Sequence, residues 1–211
     1  MALAKMTWDE LNQLVGYNIS EPYDEYYAPM QISQNQKRKR IELAKRLDDV
    51  FIALLAEFFY ADQIGVIVSS DIYERTKESY LEAVSKSVKP DDYIVNHGIE
   101  LIATTIAVLL RHTDEPYYYS LDRARAISEG ESNSVFNYTE YETAAKNKSW
   151  KTWHTIMDGR ERDSHAEVNG LRIPIEEPFE LAGGYVQYPR DDSMGASDSE
   201  LCQCRCSLSF S

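Results

Sequence analysis

The side chains in this chain best suited to hold a metal are His165, Cys202, Cys204 and Cys206. Thiolates and an imidazole are the usual donors of a structural zinc site, which takes four ligands in a tetrahedron. On a strand, Cys204 and Cys206 would share a face, because side chains two apart do so. The turns between them and His165 would bring the imidazole to that face, leaving Cys202 or Asp191 to supply a fourth ligand. A second reading fits the same residues: small buried thiols of an interior strand, with His165 hydrogen-bonded to a carboxylate. Both readings stand at this point. An odd number of cysteines this closely spaced does not suit the disulfide framework of a secreted domain.

Two other clusters carry charge in a suggestive pattern. Asp158, Arg160 and Arg162 lie just before His165 and suit either a phosphate-handling or acid–base site or a structural ion pair, in which an arginine fork holds a carboxylate. The structural pair is favoured, because neither a nucleophile–base pair nor a glycine-rich phosphate loop accompanies them. A metal-dependent nuclease or hydrolase using His165, Asp158, Asp191 and the cysteines is the enzymatic alternative, and it needs an open coordination position. Lys37, Arg38, Lys39 and Arg40 form the only strongly basic cluster. It reads as a solvated helix face near charge balance with Glu42 and Asp48, or as an interaction surface for DNA or an acidic partner.

These residues need elements to position them. Thr7-Trp8-Asp9-Glu10 has the form of a capping box that starts a short helix with Trp8, Leu11, Leu14 and Val15 on one face. Residues 20–29, with two prolines and three tyrosines, read as a loop or an extended arm. From about Gln34 to Ala61 the apolar residues recur at three and four, predicting a long helix. A third helix opens at Asp71 and Glu74, and a fourth near Asp91. That fourth helix holds the longest apolar run, Ile99 to Leu110, read as a buried core helix and short of the roughly 20 residues of a membrane span. Ser120 caps a further helix in which Gly130 marks a kink or a close contact.

Beyond Lys148 the period changes. Lys151 to Met157 reads as a strand stopped by Asp158-Gly159, and Ser164 to Val168 as a helical turn. Asn169-Gly170 turns the chain into a short strand, Leu171 to Ile175, which Pro174 confines to an edge. Turns at Gly183-Gly184 and at 188–192, one helical turn at Ser197 to Leu201, and a strand from Cys204 to Phe210 complete the chain. The fold class is α+β: a helical region, 1–112, then a small module of short strands and helical turns, 113–211, that includes its leading helix.

Composition sets the bounds. The 211 residues suffice for one good-sized domain or two small ones. A net charge of -13 argues against a nonspecific nucleic-acid coat and favours a basic protein partner. The start, MALAKMTWDEL, lacks the apolar core of a leader, so the protein is expected in the cytoplasm of the cell that makes it, with no membrane partner.

Several of these motifs occur together in one order: Trp153, then Asp158-x-Arg160-x-Arg162-x-x-His165, Gly170, Pro178-Phe179, Pro189-x-Asp191 and Cys204-Arg205-Cys206-x-Leu208. In that order and spacing they resemble the C-terminal module of the phage Mu F-like minor head proteins. Ala124, Ala126, Ile127, Glu131 and Asn137 are similar to that family's preceding helix. The likeness covers about residues 120–210. Glu129 and Gly130 stand where the family tends to have Arg and Thr, and Gln203 where it usually has asparagine. The resemblance implies a minor capsid or head-morphogenesis protein of a tailed phage or prophage. It implies action near the portal during procapsid assembly and at DNA exit, with portal, major capsid or scaffolding protein as partners. The expected location is the virion, after assembly in the host cytoplasm, with residues 1–112 as the docking part.

Overall fold

The structure, a computed structural model, describes residues 7–15 and 23–211. The first residues of the expected arm, 20–22, the first six residues of the expected leaderless start, and the side chains of Leu14 and Val15 lie outside the described residues. The chain is α+β, with eight α-helices among the described residues and a few short antiparallel strands near its end. Its described residues form two compact units: 42–128 with 7–15, and 23–41 with 129–211.

In the first unit, the helices begin and end where local chemistry directs. At α1 (Trp8–Val15) the Thr7 amide donates to Glu10 Oε2 at 2.7 Å and the Glu10 amide to Thr7 Oγ1 at 3.2 Å, a capping box. The long α3 (Gln34–Ile64) belongs to this unit from Glu42 onward. It buries Leu43, Leu47, Phe51, Leu54, Leu55 and Phe58, as the three-and-four spacing predicts. It ends at Gly65, whose φ of 65° lets the Val66 amide reach Ala61 O at 3.0 Å.

Next come α4 (Ile72–Ser85) and α5 (Asp92–Arg111), the latter capped by Asp91 Oδ1, which accepts from the Ile94 amide at 3.0 Å. Gly98 lets α5 approach the buried Tyr80 ring: a Cβ there would lie 2.1 Å from Tyr80 Cε1. By length and composition α5 is the one described helix that suffices to cross a membrane. It buries one face, at Ile94, Gly98, Ile102, Thr105 and Leu109, and leaves Leu110 64% exposed. The apolar run is therefore half core and half surface. Sequence alone gave no sign of this, because apolar residues fill both faces. A 3-10 turn, Pro116–Tyr119, leads to Ser120, whose Oγ accepts from the Arg123 amide at 3.2 Å and starts α6 (Leu121–Ala144).

The second unit holds the strands. β1 (Trp150–His154) lies between β2 (Arg172–Pro174) and β5 (Ser207–Phe210), antiparallel to both, with Trp153 opposite Leu208 and Lys151 opposite Ile173. Pro174 is thus on an edge strand, where its missing N–H costs no ladder bond. β3 (Phe179–Leu181) and β4 (Gly184–Val186) form a separate hairpin. Short helices α7 (Asp163–Glu167) and α8 (Asp198–Leu201) complete the module. The segment expected as an arm instead carries a helical turn, α2 (Asp24–Tyr27), whose buried Tyr27 hydroxyl donates to Glu129 O at 3.1 Å.

Three strands are shorter than the sequence suggests, β2 by one residue at each end and the other two for a shared reason. β1 stops at His154 because the next amide, of Thr155, donates to Asn169 Oδ1 at 2.9 Å. β5 starts only at Ser207, because the Cys204 and Cys206 carbonyls are taken by asparagine side chains rather than by a neighbouring strand.

Candidate metal centre and the network that holds it

The structure brings His165, Cys204 and Cys206 together. All three are buried, and their ligand atoms lie within 4.8 Å of one another. Cys204 Sγ is 3.7 Å and Cys206 Sγ 3.4 Å from His165 Nδ1. α7 carries the histidine, and the edge of the Trp153 ring system packs against the imidazole at 5.6 Å between centroids. Glu200 Oε2 lies 3.0 Å from His165 Nε2, close enough for charge pairing though not aligned as a hydrogen bond, and accepts from Ser164 Oγ at 2.7 Å. Thr155 Oγ1 ties the floor of the site: it donates to His165 O at 2.6 Å and accepts from Trp153 Nε1 at 3.0 Å.

The electrostatics follow from this packing. The Cys206 thiol beside it, and then His165, hold Cys204 well below the ordinary thiol range against the opposing effect of burial. Cys206 is pushed up, first by its neighbour Cys204 and then by burial. Burial pulls the His165 imidazole down, but the adjoining Cys204 thiolate and Glu200 outweigh it and leave the ring above its ordinary value. The arrangement thus favours negative charge on Cys204, with the Cys206 thiol and the imidazole beside it.

The segment 204–206 is held from α6 by its backbone. Asn133 Nδ2 donates to Cys204 O at 3.3 Å and Cys206 O at 3.4 Å, while Asn137 Nδ2 donates to Cys206 O and Pro189 O, both at 3.3 Å. The amide oxygens of the same asparagines accept from Arg40: Nε to Asn133 Oδ1 and Nη2 to Asn137 Oδ1, each at 3.1 Å. Arg40 completes its fork on Glu140, with both nitrogen–oxygen distances 2.9 Å. It is fully buried over the Phe136 ring. Planar, delocalised and weakly hydrated, a guanidinium suits such a site where an ammonium would not.

Other residues singled out in the sequence are placed elsewhere. Cys202 is exposed and outside the cluster, and its carbonyl accepts from Arg162. Asp158 is the hub of an ion pair with Arg160 at 2.8 Å and with Arg205 at 2.8 Å, an arrangement that holds its carboxyl well below the usual range. Arg205, in the middle of the Cys-Arg-Cys motif, is thus the second arginine of that pair. Asp191 is fully buried and closes the 187–193 turn, accepting from the Gln187 amide at 2.7 Å and the Ser193 amide at 3.0 Å. In the basic cluster, Arg40 turns inward, Lys37 donates to Ala28 O at 2.5 Å, and Arg38 and Lys39 are exposed.

Sequence reasoning passed over Asn133, Thr155 and Glu200. Ser197-x-x-Glu200 has the form of a capping box, which would assign the glutamate to its own helix. Instead Glu200 turns to Ser164 and His165, and Ser197 makes no side-chain cap bond. Gly130 proves to be a close contact, with the Arg190 guanidinium 3.0 Å from where a Cβ would stand.

No curated protein and no solved structure matches the chain. The Phage Mu protein F like family matches residues 42–209, which takes in most of the first unit and nearly all of the site. That span covers most of the sequence and ends beyond the Cys-Arg-Cys motif, so the chain belongs to the Phage Mu protein F like family and, with it, to the proteins of phage head morphogenesis.

Proposed function

We propose that this protein is a minor capsid component that docks beside the portal during procapsid assembly, through the first unit, and remains in the virion to assist DNA exit. Family membership supports the setting, and one observation carries the docking role. A groove of about 600 Å³ opens between the end of α3, the 66–70 loop and the end of α5, lined by Phe58, Val66, Ile67, Ile106, Leu110 and Tyr119 among others. Ile67 is 93% exposed and Ile64 beside it 73%. An apolar patch of this kind on a soluble surface marks a protein interaction site.

Charge indicates the occupant. Among the described residues lining the groove, Asp62 is the only charged one; Asp71, paired with Arg75, and Asp114 adjoin its lining segments, as does Arg111 beside Leu110. An apolar segment of the portal protein flanked by basic residues fits such a groove. The test is co-expression with portal, scaffolding and major capsid proteins, followed by purification of procapsids. The wild type is expected to be retained, and Ile67→Asp with Leu110→Asp to be lost from particles while its circular dichroism is unchanged. Retention of the double variant at wild-type level would overturn the docking role of the groove. Binding of the isolated protein to major capsid or scaffolding protein but not to portal would overturn the choice of occupant.

A further inference from the structure

We propose that His165, Cys204 and Cys206 bind one tetrahedral divalent metal ion, zinc being the ion this donor set suits best, with a water as fourth ligand. The argument starts with distances. Zinc bonds of about 2.3 Å to sulfur and about 2.0 Å to nitrogen, set at tetrahedral angles, place sulfur and nitrogen about 3.5 Å apart. The two thiols lie 3.7 and 3.4 Å from His165 Nδ1. Both sulfur–nitrogen edges therefore match those of a ligand tetrahedron, and the two sulfurs lie within 4.8 Å of each other.

Three further features point the same way. The carboxylate of Glu200 beside His165 Nε2 favours the proton on that nitrogen, leaving the Nδ1 lone pair facing the thiols, free to ligate a metal. A ligating histidine is commonly oriented by a carboxylate on its far nitrogen. The open side of the cluster is a cavity of about 20 Å³, bordered by Thr155, Gln203 and Arg162 among others, large enough for a single water. Two thiolates neutralise a dication, so the arginines around the cavity impose little net repulsion. Binding displaces the protons shared among the thiols and the imidazole to solvent, and no oxidation or reduction takes place. The site serves to fasten α7 to the segment before β5.

The experiment is elemental analysis of tag-free protein purified under reducing conditions, with thiol titration of the same sample. The expected result is about one zinc per chain, kept in Cys202→Ser and lowered about tenfold or more in Cys206→Ser and in His165→Gln. Substitution of cobalt(II) into the wild type should give the intense visible bands of a tetrahedral thiolate site, a readout that needs no variant to fold. Three freely titrating thiols with no metal in the wild type would overturn the proposal. So would a disulfide between Cys204 and Cys206 in the reduced preparation, or zinc retained in the Cys204→Ser, Cys206→Ser double variant.

Discussion

The two units are held together by different means. The first packs apolar residues at helical spacing, with Leu47, Phe51, Leu55, Ile102 and Leu109 buried and apolar side chains left over at Ile64, Ile67 and Leu110. The second buries polar groups. From Glu131 to Asn137 every residue of α6 is buried, although most are polar, and Arg40, Asn133, Asn137 and Glu140 satisfy one another. Hydrophobic burial has no direction, so the first unit can cohere and still present apolar surface. A hydrogen-bonded network is directional, and it fixes atoms to the few tenths of an ångström that a cluster such as His165, Cys204 and Cys206 requires.

That contrast is open to attack by substitution. The largest effect is expected at Arg40→Ala, which leaves Glu140 and two buried asparagines without their donor; about 3–5 kcal/mol of stability should be lost in urea unfolding. A loss under about 1 kcal/mol would mean that water replaces the guanidinium and that the network is not what holds the second unit. Two mid-helix glycines give the next comparison. Gly98→Ala drives a methyl into the Tyr80 ring and should cost about 1–3 kcal/mol. Gly130→Ala meets only the tip of Arg190 and gains helix propensity, so the expected change lies between zero and about 1 kcal/mol of stabilisation. Equal costs at the two positions in thermal melts would contradict this.

A third prediction concerns pH. Lys151 is fully buried in β1, its ammonium donating to Gln187 O at 2.9 Å, and burial lowers its pKa to about 8 from 10.5. Between those values the unfolded chain holds a proton that the folded chain has shed, so stability due to this residue rises with pH. Relative to Lys151→Met, the wild type should gain stability from pH 8 to 10, and a flat difference would count against a strained charge. The smallest effect is expected at Gln203, which sits at φ 56° just before the Cys-Arg-Cys motif. Asparagine tolerates that left-handed conformation better, so Gln203→Asn should stabilise by a few tenths of a kcal/mol, read as a small rise in urea midpoint.

The first unit was largely legible in the sequence, because caps and apolar spacing are local signals: Thr7 with Glu10, Asp91 before α5, and the Leu47 to Phe58 stripe all act within a turn or two. The metal-binding candidates were legible as residue types, but the strand expected to carry Cys204 and Cys206 begins only at Ser207, so the pair lies just before the small sheet and His165 on a short helix. What escaped was the set of long-range polar partners. Nothing near Asn133 announces that its amide will reach Cys204 and Cys206, some 71 and 73 residues on. Arg40 sits among exposed cations and looks like one of them. A buried network leaves no period in the sequence, since each member is an ordinary polar residue until its partner arrives.

The clamp on the 204–206 carbonyls has one further consequence. Asn133 and Asn137 grip main-chain oxygens, which every amino acid supplies, so the path of this segment does not depend on which side chains it carries. The fold has in effect separated the scaffold from its cargo. Replacing the thiols at 204 and 206 is therefore expected to leave the course of this segment unchanged.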